Sequence, residues 1–327
     1  MRDILMMKGA KILVDTCAAV VPDESVLVVT DMETIEVAKP LAAAAYERGA
    51  ETVIAIMTPR AVDGQEPPRS IAAAMAQADV IFTPVKISIT HTKAISDAMA
   101  AGARAIMLTA FIPDMLISGG IEADFASWKP TCEEVATRFG QAKTAHLTST
   151  GGTDLTMDVT GRRGNAMPCM VVPGQFSAVP NIEATVAPVE GSAEGIIVAD
   201  ASIPYIGIGL LREPVRFTVE KGFITKIEGG DQARQLEAAL QEFNDPNVYN
   251  IAELGVGLNP KCRMQGIMLE DEGVLGTVHI GIGSSFAGGG RVKAPLHYDL
   301  IMWEPTITLD GETIWEKGQV KVGTLGQ

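Results

Sequence analysis

Ser25-Val-Leu-Val-Val-Thr30 is a short β-branched run, and the chain repeats this kind of segment at Thr52-Val-Ile-Ala-Ile-Met57, Asp79-Val-Ile-Phe-Thr83 and Arg104-Ala-Ile-Met-Leu-Thr109. Alanine-rich stretches fill the intervals, at Val37 to Arg48, Ser70 to Gln77 and Thr92 to Ala101. Strands that recur at this spacing with a helix after each predict a wound α/β sheet of parallel strands joined by crossover helices. Gly49 and Gly102 stand where C-terminal caps belong.

Sheets of this kind often hold dinucleotides at the carboxyl ends of their strands. Here Val29-Thr30 is followed by Asp31-Met-Glu-Thr34, with neither a glycine-rich turn nor a Walker lysine, so no nucleotide cofactor is expected. His91, in Ile89-Thr-His91-Thr92, falls at a strand-to-helix turn and is a candidate substrate contact. His146, in Thr144-Ala-His-Leu-Thr148, reads as a sheet residue between the two halves of the chain.

Beyond Thr150-Gly-Gly-Thr153-Asp154 the texture changes to short strands with glycine and proline turns, interrupted by one evident helix from Asp231 to Phe243. Glu220-Lys-Gly222 separates two strand-like runs, Val215 to Val219 and Phe223 to Ile227, and predicts a hairpin. The expected fold class is therefore α/β, with a wound parallel domain over residues 1–148 followed by a β-rich (α+β) metal-binding domain over 149–327.

The 327 residues include 47% hydrophobic ones, enough to build two ordinary cores. A net charge of -14 argues against a nucleic-acid partner, because such binding rests on basic surface meeting phosphate. The amino terminus lacks the apolar core of a signal peptide and no apolar run reaches membrane-spanning length, so a cytoplasmic protein without a membrane partner is expected. Four scattered cysteines, Cys17, Cys132, Cys169 and Cys262, suit a reducing compartment.

The chemistry gathers in the second half. Two of the four histidines fall close together, in Gly276-Thr-Val-His279-Ile-Gly-Ile-Gly283 and in Leu296-His297-Tyr-Asp299-Leu300. On a strand, His297 and Asp299 project from one face. Val278, Ile280 and Ile282 form an apolar face that leaves His279, Gly281 and Gly283 on the other. Asn250-Ile-Ala-Glu253-Leu-Gly-Val-Gly-Leu258 and Asn181-Ile-Glu183-Ala-Thr-Val186 repeat the alternation with a carboxylate on the polar face. Glycines beside the charged residues leave room for a ligand. These four segments predict a shared metal site on Glu183, Glu253, His279, His297 and Asp299. No His-Glu-x-x-His helix and no Cys-x-x-Cys pair exists, and nitrogen and oxygen donors point to zinc, manganese, cobalt or iron.

At these residues the chain resembles the aminopeptidase T family of metallopeptidases, through Gly152-Thr-Asp-Leu155, Glu183 before Ala187-Pro188, Glu253-Leu-Gly-Val-Gly257, Gly276-Thr-Val-His279 and His297-Tyr-Asp299. The resemblance implies two divalent ions per chain (zinc, cobalt or manganese), an amino-terminal α/β domain and a homodimer or higher homo-oligomer. The chain is also similar to the dihydroxypyridine ring-cleaving dioxygenases, through Glu220-Lys-Gly-Phe-Ile-Thr225, Gly229-Gly230, Phe243-Asn-Asp-Pro246, Val248-Tyr249 and Gly257-Leu-Asn-Pro260. That second resemblance implies one ferrous ion on two histidines and one aspartate, and Glu253 stands where the first histidine belongs.

The carboxylate-rich donor set favours a metal-dependent hydrolase of amide-type bonds, with Glu183 or Glu253 as ligand or general base. The stretch Gly283-Ser-Ser-Phe286 lacks the tyrosine of the peptidase pattern, which shifts the expected substrate from a short peptide towards a small cyclic amide or N-heterocycle. Arg291 and Lys293, beside Gly288-Gly-Gly290, are candidates to bind a substrate carboxylate or oxyanion. The alternative expectation is an Fe(II)-dependent dioxygenase that opens a hydroxypyridine-like ring, and a third is a non-enzymatic metal- or ligand-binding protein.

Overall fold

In the computed structural model, which describes residues 1–322, the four β-branched runs form the strands Ser25–Asp31, Glu51–Met57, Val80–Val85 and Arg104–Thr109. They pair in parallel in the spatial order Glu51–Met57, Ser25–Asp31, Val80–Val85, Arg104–Thr109, and the short strand Phe176–Ala178 adds to the last. The crossover helices are Ile35–Glu47, Arg69–Met75 and Lys93–Ala100. Gly49 and Gly102 follow two of them with φ of 90° and 99°, a conformation in which any side chain would be strained. Leu27, Val29, Ile81 and Met107 from the strands bury one sheet face against Met75, Ile95 and Ala98 from the helices.

The order of strands reverses between Ser25–Asp31 and Val80–Val85, the place where such sheets open a ligand crevice. Asp31 closes it instead. Its Oδ1 accepts the N–H groups of Glu33 and Thr34 and the Thr34 hydroxyl, and its Oδ2 accepts Lys86 N–H at 2.7 Å. The aspartate therefore braces the turn that leads into the next helix and ties two strand ends together.

Two helical segments lie outside the expected pattern. Arg2–Lys11 runs into a wider turn over Ile12–Cys17, and Phe125–Gln141 forms despite Pro130 inside it. The chain divides into two compact units, one made of Met1–Ala126 with Met167–Pro180 and the other of Ser127–Ala166 with the residues from Asn181 onward. No helix among the described residues is long and apolar enough to cross a membrane.

The second unit holds an eight-stranded and a seven-stranded sheet, and the strands that carry the candidate site pair antiparallel. The expected hairpin is Val215–Glu220 with Phe223–Glu228, and Lys221 and Gly222, at φ 51° and 78°, make the tight turn that matches strand twist. The helix is Asp231–Glu242. His146 sits in the eight-stranded sheet and pairs with Asp154 at 2.8 Å. Four neighbouring strands of the seven-stranded sheet, in the order His297–Met302, Val278–Gly283, Ile251–Gly257, Glu183–Val186, carry the candidate site. Leu254, Val256, Val278, Ile280, Ile282 and Leu300 on their apolar faces are fully buried, which fixes the register that turns the polar faces together.

Candidate metal centre

Cross-strand register sets each charged residue against a glycine. Glu253 and Asp299 both lie opposite Gly281, His279 lies opposite Gly255, His297 opposite Gly283, and Glu183 opposite Gly257. A methyl group at Gly255 would come within 1.9 Å of His279 Nε2, and one at Gly281 within 2.7 Å of the His297 ring. The imidazoles thus lie across the glycines, in space that any side chain would fill.

The five predicted ligands converge. His279 Nε2 is 3.4 Å from Glu183 Oε2 and 3.6 Å from Glu253 Oε1, and His297 Nε2 is 3.8 Å from Glu253 Oε1 and 3.6 Å from Asp299 Oδ1. Glu253, His297 and Asp299 form the tightest group, one donor atom from each lying within 4.8 Å of the others. Ligands bound at about 2.0–2.2 Å can share one ion at the spacings of the His297 contacts.

Local bonds orient these donors. Ser284 O can only accept, so His297 donates from Nδ1 over 2.8 Å and turns Nε2 towards the carboxylates, where an ion can displace its proton. Asp299 is buried, and its Oδ2 accepts the Tyr205 hydroxyl at 2.8 Å while its Oδ1 has no hydrogen-bond partner. A buried orphan oxygen gathered with an imidazole Nε2 and a second carboxylate is what a cation satisfies, so the donor set fits a bound metal ion. Cys132 Sγ meets the Glu183 carbonyl at 3.0 Å and anchors that strand.

Electrostatics points the same way. Burial alone would lower the histidines, but the surrounding carboxylates outweigh it and hold His279 at about 9 and His297 at about 10. Burial raises Glu183, with Glu253 and Asp299 adding to the effect. In the metal-free protein the imidazoles thus bear the positive charge that a divalent ion would supply.

Sequence reasoning missed two residues. Tyr205 OH lies 2.7 Å from Glu272 Oε1 as well as 2.8 Å from Asp299 Oδ2, and Asn181 Nδ2 donates to Glu272 Oε2 at 3.2 Å. One phenolic proton serves one carboxylate, so the second contact needs a protonated carboxyl. Burial, together with the Asp299 and Glu183 charges, raises Glu272 well above the carboxylate range and makes it that group. Tyr205 also stacks on Tyr298, the rings 4.5 Å apart.

The glycine loop is clamped rather than loose. Arg162 donates to Gly289 O at 3.1 Å and pairs with Glu190, whose Oε1 accepts Arg291 N–H at 2.7 Å, while Asn165 holds Gly288 O at 3.1 Å. Gly288 faces Glu253, since a Cβ there would lie 3.3 Å from Glu253 Oε2. Arg291 is exposed, and Lys293 Nζ sits 4.3 Å above the Phe286 ring. No hydrogen bond or ion pair among the described residues ties either side chain to the ligand cluster. His91 belongs to the first unit, where its ring meets Phe176 edge-on at 6.3 Å.

Residues 11–322 match the family described as NicX: 2,5-dihydroxypyridine 5,6-dioxygenase. The chain belongs to that family. A curated relative, the 2,5-dihydroxypyridine 5,6-dioxygenase of Pseudomonas putida KT2440, is 32% identical over 160 residues, a match that spans 45% of this chain and 45% of the relative. A solved structure of 2,5-dihydroxypyridine dioxygenase from the same organism superposes with a TM-score of 0.87 at 21% identity, covering 99% of each chain. AmpT from Thermus thermophilus shares the fold at a TM-score of 0.69 and 13% identity, covering 98% of this chain and 100% of that one. Both likenesses in the sequence thus have a counterpart in fold, and family membership decides between them. The expectation of an amide hydrolase of the aminopeptidase kind is overturned. It rested on counting carboxylates, and a carboxylate-lined metal face serves more than one chemistry.

Proposed function

We propose that this chain is a metal-dependent ring-cleaving dioxygenase, and that its substrate is a hydroxylated N-heterocycle of the dihydroxypyridine class. Family membership over residues 11–322 supports the reaction class. The observation that carries the reading to this chain is the Glu253, His297 and Asp299 triad on the two strands that flank Val278–Gly283, three donors that leave a metal with open positions. A ferrous ion there would supply the binding and activation of dioxygen beside a chelating substrate. Zinc would fill the same donors without that chemistry, having no accessible redox change.

The chain's own residues then have distinct tasks. Glu253, His297 and Asp299 hold the ion, and Tyr205 keeps Asp299 turned towards it. His279 and Glu183, 3.4 Å apart and buried, stand beside the triad as a proton donor and acceptor for a ring hydroxyl. The backbone at Gly288 lies over Glu253 with no side chain to obstruct a flat ring.

The test is anaerobic loading with Fe(II), followed by oxygen uptake with 2,5-dihydroxypyridine. The expected result is one iron per chain and oxygen consumed in proportion to heterocycle lost, with both lost in His297→Ala and Asp299→Ala. Iron bound by the triad without oxygen uptake on any dihydroxypyridine would overturn the substrate class, and wild-type metal occupancy in both variants would overturn the site.

A further inference from the structure

The loop of residues 285–292 joins two strands that carry the site, Val278–Gly283 and His297–Met302. Its neck is closed by its own bonds. Ser285 N–H donates to Val292 O at 3.1 Å, Val292 N–H to Ser285 Oγ at 3.2 Å, and Gly290 N–H to Ser285 O at 2.9 Å. A Cβ at Gly290 would lie 2.2 Å from Ser285 Oγ, so the neck closes only on glycine. The tip holds the run Gly288-Gly-Gly290 and is tied within the loop by one further, long bond, Gly289 N–H to Phe286 O at 3.4 Å. Consecutive glycines have the most backbone freedom to lose, so a tip of this kind does not order itself.

Three side chains from elsewhere in the same unit order it. Asn165 Nδ2 donates to Gly288 O, and its Oδ1 accepts Arg163 Nε–H at 3.0 Å, which settles which end of the amide faces the loop. Arg162 holds Gly289 O and pairs with Glu190, which in turn accepts the Arg291 N–H. The side chains of this pair are 11% and 29% exposed, shielded enough to keep a fixed geometry where an open surface pair would contribute little. Asn165 lies on the edge strand Gly164–Met167, and Glu190 follows the neighbouring strand Glu183–Val186, so the bracket stands on the same sheet as the ligands. Fold stability alone does not call for this arrangement, because a tip with side chains would order at a lower entropic cost. Room does call for it. A Cβ at Gly288 would lie 3.3 Å from Glu253 Oε2 and 3.8 Å from Ala187 Cβ. Glycine keeps the space above Glu253 open, and the bracket holds it at one width.

We propose that Arg162, Asn165 and Glu190 are positioning residues for the substrate, fixing Gly288 as one wall of a slot above Glu253 in which a planar ring lies flat. The inference rests on the dihydroxypyridine reading above and adds to it the residues that set the width of the slot. No hydrogen bond or ion pair among the described residues ties these three side chains to the metal donors. They act on the ring through the loop backbone and leave the ion's ligands where they are. Arg162 and Glu190 also cancel in charge, so the bracket adds no net charge beside the carboxylates. Loosening it removes contact from one face of the ring, which costs binding and leaves the donors around the ion intact.

Asn165→Ala and Arg162→Lys test it, each weakening the hold on the loop while leaving Glu190 a cationic partner. Three readouts are taken on the full chain: amide hydrogen exchange of residues 285–292 in the metal-free protein, Mn(II) affinity by chelator competition, and anaerobic titration of the Mn(II)-loaded protein with 2,5-dihydroxypyridine. Faster exchange and unchanged Mn(II) affinity are expected in both variants, with heterocycle binding weakened about 3–10-fold, the net worth of one hydrogen bond. With Fe(II), KM should rise by the same factor at unchanged kcat, the mark of binding lost equally from ground and transition states. Gly288→Ala is sterically allowed, since Gly288 lies outside the left-handed region. Its methyl enters the slot, so it should weaken the heterocycle more than either variant without speeding exchange. Wild-type heterocycle affinity in Asn165→Ala and Arg162→Lys, unchanged loop exchange, or an equal loss of Mn(II) affinity would each overturn the bracket alone. A wild-type protein that takes up Mn(II) but not the heterocycle would overturn the substrate class and this inference with it.

Discussion

Gly281→Ala isolates the geometry of the metal centre from the chemistry of its ligands. Gly281 lies between Glu253 and Asp299 in a row across three strands, and its missing Cβ is the floor beneath the His297 ring. A methyl group there would sit 2.7 Å from His297 Cε1, 2.8 Å from Nε2 and 2.9 Å from Glu253 Cβ. Ordinary contact begins near 3.4 Å, so these atoms must withdraw by about 0.5–0.7 Å. His297 is held by its 2.8 Å bond to Ser284 O, and Glu253 Cβ is fixed to its own strand. Metal–ligand lengths tolerate only about 0.2 Å, so the triad cannot keep its geometry.

The expected loss is roughly 10–100-fold in metal affinity, the scale seen when the groups that orient ligands are disturbed. Overpacking should also cost the metal-free fold about 1–3 kcal/mol. Chelator competition with Mn(II), a probe insensitive to oxygen, gives the affinity, and thermal denaturation of the metal-free protein gives the stability. Gly255→Ala is the matched comparison: its methyl meets His279 Nε2 at 1.9 Å and leaves the triad uncrowded, so it should cost less metal affinity than Gly281→Ala. A folded Gly281→Ala protein with wild-type affinity would refute the idea that the ion sits among Glu253, His297 and Asp299 over this glycine.

Three further outcomes are expected. Tyr205→Phe removes the hydroxyl that turns Asp299 and should weaken Mn(II) binding about tenfold, with partial recovery absent in Glu272→Gln if the phenol, not the carboxyl, does the orienting; unchanged affinity in Tyr205→Phe would dismiss that role. Glu253→Gln should weaken the ion by more than tenfold, whereas Glu253→His should restore binding and raise the preference for Fe(II) over Mn(II), read by metal content after competitive loading; equal loading of both metals in Glu253→His would count against Glu253 as a ligand. Glu190 is pulled upward by burial but further downward by its N–H donors and Arg162, so its folded value lies below the ordinary 4.5. Its contribution, at most about 1 kcal/mol, is present above pH 4.5 and lost as pH falls through the lowered value, and Glu190→Gln should remove that part of the acid dependence of thermal stability.

What could be read from the sequence follows from periodicity. A strand with one buried face alternates, so Val278, Ile280 and Ile282 announced which side of His279 and Gly281 was free, and the same rule aligned Glu253, His297 and Asp299 before any strand was paired. The parallel sheet was legible for a related reason, because strands buried on both faces read as continuous β-branched runs. Tyr205 carried no such signal: it lies in an irregular stretch after Ser202–Ile203, where no period assigns a face. Glu272 ends the run Glu270-Asp-Glu272, and three consecutive acids read as solvated surface although all three are buried. Phe125–Gln141 was hidden by Pro130, which interrupts the helical pattern although the helix carries it as its sixth residue. The reaction class was illegible for a different reason. Alternation specifies which donors face one another, but hydrolysis and ring cleavage both begin from nitrogen and oxygen donors on one open sheet face. The difference lies in which metal those donors select and how many positions they leave open, and the Glu253→His exchange is the test of whether Glu253 sets both.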